Sequence, residues 1–166
     1  LVSRIGFCCE VRILKNRQTV SMYDNHNVCL RNSLGTYVLF LHADDRLDRS
    51  ACETIKRKLE SRYFPARYIL WGHSMFSDFT YRILGCGFSV GRVFAGQFAF
   101  APFLAGGMSP SGVCFSRDIE QFGGFLSSSH PIPASDSSSM VLWALKGYRF
   151  EMFDDIVCFR ERPGTA

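Results

Sequence analysis

Residues 35–47 read GTYVLFLHADDRL. Thr36 to Leu41 is an unbroken run of β-branched, aromatic and aliphatic residues. Such a run predicts a parallel strand buried on both faces, because alternation would leave one face polar. The run stops at His42, Ala43, Asp44 and Asp45. In an open parallel sheet, ligands bind beyond the carboxyl ends of the strands. Two carboxylates there form a hard, oxygen-rich site suited to Mg2+ or Mn2+. His42 adds an imidazole that manganese tolerates. The acids taken alone are equally well read as caps of a loop or of the next helix. His42 is equally well read as a core histidine bonded to backbone.

Outward from this stretch, the pattern alternates between strands and helices. A short strand is expected near Val11 to Leu14, and a helix over 22–34 that stops at Gly35. Asp48 or Ser50 caps a helix over 50–62, with Glu53 in its first turn and basic residues later; Pro65 ends it. RYILWG, 67–72, and GVCFSR, 112–117, read as strands. Residues 118–122 read as a short helix ended by Gly123 and Gly124, and 126–139 as a loop. A helix runs from Ser138 to Lys146 and stops at Gly147. YRFEMF and DIVCFR supply one or two further strands. Residues 73–112, rich in Gly and Phe, show no clear period. The alternation predicts an α/β fold in one domain, with no internal repeat.

The composition bounds the function. A chain of 166 residues is long enough for one domain with a proper core. With 47% hydrophobic residues and 16 Phe, it is not a disordered chain. The net charge of +4 comes from scattered Lys and Arg, so no nucleic-acid-binding run is present. A mild positive excess suits a phosphorylated ligand or peripheral contact with an anionic membrane. The seven cysteines include no C-x-x-C pair and no zinc-ligand spacing. They read as small core residues in a reducing compartment. Val93 to Met108 is apolar, but it is short for a membrane span and broken by Gln97 and Pro102. No signal peptide is visible, so the expected location is the cytoplasm, including the inner face of the membrane.

NVCLRNSLGTYVLFLHADDRLDRSA, 27–51, resembles the centre of a family 2 glycosyltransferase of the GT-A fold. Asn27, Gly35 and Tyr37 stand at the motif's Asn, Gly and Tyr, and FLHADD stands at its acidic signature. GVCFSRDIEQFGGF, 112–125, resembles the segment ending in G-G-F. Asp136 precedes Gly147-Tyr148 with the family's E-D to G-Y spacing, and FRERPG, 159–164, resembles its closing Y-R-x-H-P-G. Four blocks in the family's order are more specific than any one of them. The resemblance implies a GT-A-like (Rossmann-like), mostly parallel mixed sheet flanked by helices. It implies a single glycosyltransferase-like domain over 1–166, incomplete at its N-terminus because the first βα unit is missing.

The resemblance also implies the chemistry. Such enzymes move a sugar from a nucleotide-sugar donor to a saccharide or lipid-linked acceptor hydroxyl with inversion, as in polysaccharide biosynthesis. Asp44 would bind the metal. Asp45, His42 and Asn27 would support the donor site. Arg160 and Arg162 would clamp the diphosphate, Arg being suited to bidentate phosphate contacts. Asp136 would be the base. The alternatives are an N-cap for Asp136 and solvated surface residues for the two arginines. Trp71 and Trp143 read as core. The segment 86–111 falls where the family builds its acceptor site. His42, Ser135, Leu142 and Arg162 depart from the pattern, standing for Asp, an acid, Arg and His respectively. Two other functions fit fewer blocks: a non-catalytic GT-A-like binding module, and a metal-dependent enzyme acting on phosphate esters. The oligomeric state is not legible.

Overall fold

The computed structural model describes residues 10–60, 67–76, 79–82, 93–94, 111–127, 129–130 and 136–160. They form one mixed sheet flanked by helices. Its strands are β1 Tyr37–Leu39, β2 Asp45–Leu47, β3 Tyr68–Phe76, β4 Phe79–Arg82, β5 Val93–Phe94, β6 Val113–Ser116 and β7 Arg149–Arg160. The order across the sheet is β1-β6-β3-β7-β2, with β4 beside β3 and β5 beside β7. The helices are α1 Met22–Asn32, α2 Ala51–Glu60 and α3 Asp136–Leu145, plus a 3-10 helix, Arg117–Phe122.

The expected α/β sheet with helices on its faces is present. The strand directions differ from expectation. Among the described strands only β3 and β7 pair parallel; β1 runs antiparallel to β6, and β2 antiparallel to β7. A continuous apolar run reports burial on two faces, and helices on both faces impose that whatever the direction of the neighbour. Tyr37, Val38 and Leu39 are only half-buried, since β1 lies at the end of the described strand order; Phe40, next in the chain, is buried. YRFEMF and DIVCFR join into the single strand β7. No strand forms at 11–14: Val11, Ile13 and Leu14 are exposed, and no described strand pairs with them.

Alternation along the strands builds two cores. Ile69, Val113 and Phe115 point to one face, where Leu30 of α1, Ile119 of the 3-10 helix and Met140 and Trp143 of α3 cover them. Leu70 and Cys114 point to the other, under Ala51 and Ile55 of α2. Trp143 is core, as expected, and its indole N–H donates to the Gly124 carbonyl at 3.1 Å. The side chain of Trp71 lies outside the described residues. Cys114 and Cys158 are buried, whereas Cys29 and Cys52 are exposed. Burial, and then the neighbouring Cys52, push the Cys114 thiol up to about 12, so it behaves as an inert small hydrophobe.

Local signals set the helix ends. Ser21 caps α1 by accepting from the Asp24 amide at 3.2 Å. Asp48 accepts from the Ser50 amide at 2.8 Å and its hydroxyl at 2.6 Å just ahead of α2. Gly147, at φ +83, turns the chain out of α3, and the Tyr148 amide bonds the Trp143 carbonyl at 3.0 Å. No helix among the described residues is long and apolar enough to cross a membrane.

Candidate functional site

The acids sit on a tight turn between β1 and β2. The Asp45 amide donates to the His42 carbonyl at 3.2 Å, closing His42–Asp45 on itself. The turn is held from outside by Ser111, whose hydroxyl accepts from the His42 amide at 3.2 Å. Asp44 is exposed at the turn; Asp45, half-buried, begins β2. In register it faces Arg160 at the end of β7. One ligand atom from each of His42, Asp44 and Asp45 lies within 4.8 Å of the others. The His42 Nε2 is buried and has no hydrogen-bond partner. Two carboxylate oxygens and an imidazole nitrogen are a donor set that fits a divalent cation.

A row of rings runs from this turn to α3. The His42 ring stacks on His26 of α1, with centroids 5.4 Å apart and planes 13° apart. His26 meets Tyr23 edge-on at 6.0 Å. The Tyr23 hydroxyl lies near the Asp136 carboxylate; burial, then that charge, raise the phenol above its ordinary value. Asp136 is the first residue of α3, two residues earlier than the expected helix start. A carboxylate there is stabilised by the helix dipole. The acid of α3 and the acids of the turn therefore lie at the two ends of one run of contacts. Phe40 and Phe125 pack against His26 at 5.1 and 5.0 Å and form its floor.

His26 is 7% exposed, and its Nδ1 has no partner. Burial, then the neighbouring His42, lower its pKa to about 4. It is therefore neutral in the fold when the unfolded chain, near 6.5, is protonated. Between those two values the unfolded state binds more protons, so stability falls as pH drops from about 6.5 toward 4. For the metal-free protein the expected loss is about 2–3 kcal/mol across that window. Urea denaturation at a series of pH values checks it, and His26→Phe should flatten the slope.

Asn27, one residue on, is also buried. Its amide nitrogen donates to the Phe125 carbonyl, and its amide oxygen accepts from the Phe125 amide, both at 2.8 Å. This two-bond clasp ties α1 to the loop after the 3-10 helix. Gly124 has φ +67, and a Cβ there would run into the Asn27 Oδ1. The G-G-F motif and the motif Asn thus meet in space, 98 residues apart.

The solved structures include a match to the fold. The crystal structure of S. aureus TarS 1–349, a GT-A-type glycosyltransferase, superposes with a TM-score of 0.61 at 11% sequence identity. The match covers 84% of this chain and 40% of that one. The chain has a glycosyltransferase-like fold. Among curated proteins, the uncharacterised protein MT1568 of Mycobacterium tuberculosis (strain CDC 1551 / Oshkosh) is 39% identical over 49 residues, covering 30% of this chain. Those residues are 15% of MT1568, so this chain spans a minor part of either relative. No family model matches the sequence.

On this glycosyltransferase-like frame the expected residues divide. His42, Asp44 and Asp45 share one turn, and Asp136 is joined to it through Tyr23 and His26. Arg160 is placed by its backbone beside Asp45, but its side chain lies outside the described residues, as does all of Arg162. Ser135 and nearly all of the glycine- and phenylalanine-rich segment 86–111 also lie outside them. Tyr23 and His26 were missed from sequence. Their signal was helical spacing: Tyr23, His26, Asn27 and Leu30 recur at i, i+3, i+4 and i+7, the inward face of α1.

Proposed function

We propose that the chain is the catalytic part of an inverting glycosyltransferase that moves a sugar from a nucleotide-diphosphate donor to an acceptor hydroxyl with a divalent metal. The observation that supports this reading is the run of contacts joining the acid turn to Asp136. A transfer with inversion needs charge compensation on one side of the anomeric carbon and a base on the other. His42, Asp44 and Asp45 would hold the ion; the chemistry it supplies is compensation of the charge that grows on the leaving diphosphate. Arg160, whose backbone pairs with Asp45, is the residue proposed to clamp the diphosphate. Asp136 accepts the proton of the acceptor hydroxyl as its oxygen bonds the anomeric carbon and the bond to the diphosphate breaks. Tyr23, beside the Asp136 carboxylate, links that acid to the ring of His26. Asn27 acts through Phe125: its clasp holds the floor under His26, so its part is positional rather than in direct contact with the donor.

Calorimetric titration of UDP and GDP with and without Mn2+ tests the reading. The expected result is metal-linked nucleotide binding that Asp44→Ala weakens by roughly 100-fold or more, since the variant removes a charged ligand. Nucleotide binding that ignores both the metal and the variant would refute it. Binding of saccharide with no nucleotide binding would favour the alternative of a non-catalytic GT-A-like module. His42 in place of a carboxylate is the feature that favours that alternative.

A further inference from the structure

We infer that the acid turn selects a first-row transition-metal ion over Mg2+ and Ca2+, and that His42 is the residue responsible. The inference rests on the metal-assisted reading above and names the class of ion. Three features of the site carry it. The first is the donor set: one imidazole and two carboxylates offer ligand atoms within 4.8 Å of one another. Mg2+ and Ca2+ take oxygen ligands, whereas an imidazole nitrogen favours Co2+, Ni2+ and Zn2+, with Mn2+ weakest of the transition series. The second is the buried, partnerless Nε2 of His42. A buried polar nitrogen with no partner is destabilising by the loss of its hydration, and a bound cation removes that penalty. The third is the second imidazole behind it. His26, also buried with a partnerless Nδ1, stacks on the His42 ring and leaves it little freedom to turn. A ligand whose ring plane is held by packing binds with less loss of side-chain freedom.

His42 is part of the turn through its backbone: its carbonyl accepts from Asp45 and its amide donates to Ser111. Neither bond uses the ring. His42→Asp should therefore keep the turn and change only the donor, from nitrogen to oxygen.

The test is direct metal binding, measured on the metal-stripped protein by competition with a chromophoric chelator, with UDP, with GDP and with neither. Co2+ and Zn2+ are expected to bind at least about tenfold more tightly than Mg2+. Pulsed EPR of the Mn2+-loaded protein should show coupling to a directly bound imidazole nitrogen. In His42→Asp the nitrogen coupling should vanish and the preference over Mg2+ should shrink to about threefold or less. Circular dichroism establishes that the variant is folded; if it is not, the wild-type nitrogen coupling decides alone. Mg2+ bound as tightly as Co2+, absence of nitrogen coupling, or no metal bound under any of the three conditions would overturn the inference. The two proposals fail separately. Nitrogen coupling with no nucleotide binding sinks the transferase reading only. Metal-linked nucleotide binding with equal affinity for Mg2+ sinks only the ion preference.

Discussion

Asp136→Asn is expected to lower sugar transfer by about 10²- to 10⁴-fold while leaving donor binding and fold intact. The substitution keeps the shape of the side chain. It also keeps a polar side chain of the same size at the start of α3, beside Tyr23. What it removes is the negative charge and the capacity to take a proton. The effect should thus fall on turnover rather than on KM, since the acid of α3 is separated from the turn by Tyr23 and His26. Tyr23→Phe is the companion variant. It removes the hydroxyl beside Asp136 but keeps the ring packed against His26 and Phe125, so a smaller loss, about tenfold, is expected. The measurement is release of UDP or GDP from a panel of nucleotide sugars in the presence of saccharide acceptors. Unchanged release in Asp136→Asn, by a protein active without the substitution, would remove Asp136 as the base.

Gly124→Ala should destabilise the fold by about 3–5 kcal/mol. A left-handed backbone disfavours any Cβ by about 1–2 kcal/mol. At this position the Cβ also meets the Asn27 amide oxygen and would lie 3.3 Å from the Leu30 side chain. Asn27→Ala should be destabilising by about 2–4 kcal/mol, because it leaves the buried Phe125 N–H and C=O without their partners. The two changes are coupled. Once Asn27 is an alanine, the atom that obstructs the new methyl is gone, and the double variant should be less destabilised than the sum by about 1–2 kcal/mol. A double-mutant cycle from urea denaturation checks this. Additive effects would mean that motif Asn and motif Gly do not act on each other. The functional consequence follows from Phe125: it forms the floor beneath His26, so loosening the clasp should weaken metal binding even where the protein stays folded.

The candidate site was legible to different depths. Asp44 and Asp45 announced themselves because an apolar run cannot end in adjacent acids without a change of environment. Asp136 was visible only through its spacing to Gly147 and Tyr148, since a Ser-rich helix start explains an aspartate without any chemistry. Tyr23 and His26 carry no motif of their own. They look like ordinary residues of an amphipathic helix, and their part depends on what stands opposite. The strand β2 was also missed: three residues, Asp45–Leu47, are too few to show a period, and only the long β7 alongside makes them a strand.

Taken alone, the sequence determined the α/β class, the presence of the three helices and the position of the acid pair, because these depend on interactions within a few residues: periodicity, capping and turn chemistry. Tertiary structure decided the strand directions, the clasp between Asn27 and Phe125, and the row of rings from His42 to Asp136. Those depend on which surfaces meet after the chain has crossed about a hundred residues. Apolar patterning drives burial but does not specify the partner, so the meeting of α1, the acid turn and α3 is settled by packing.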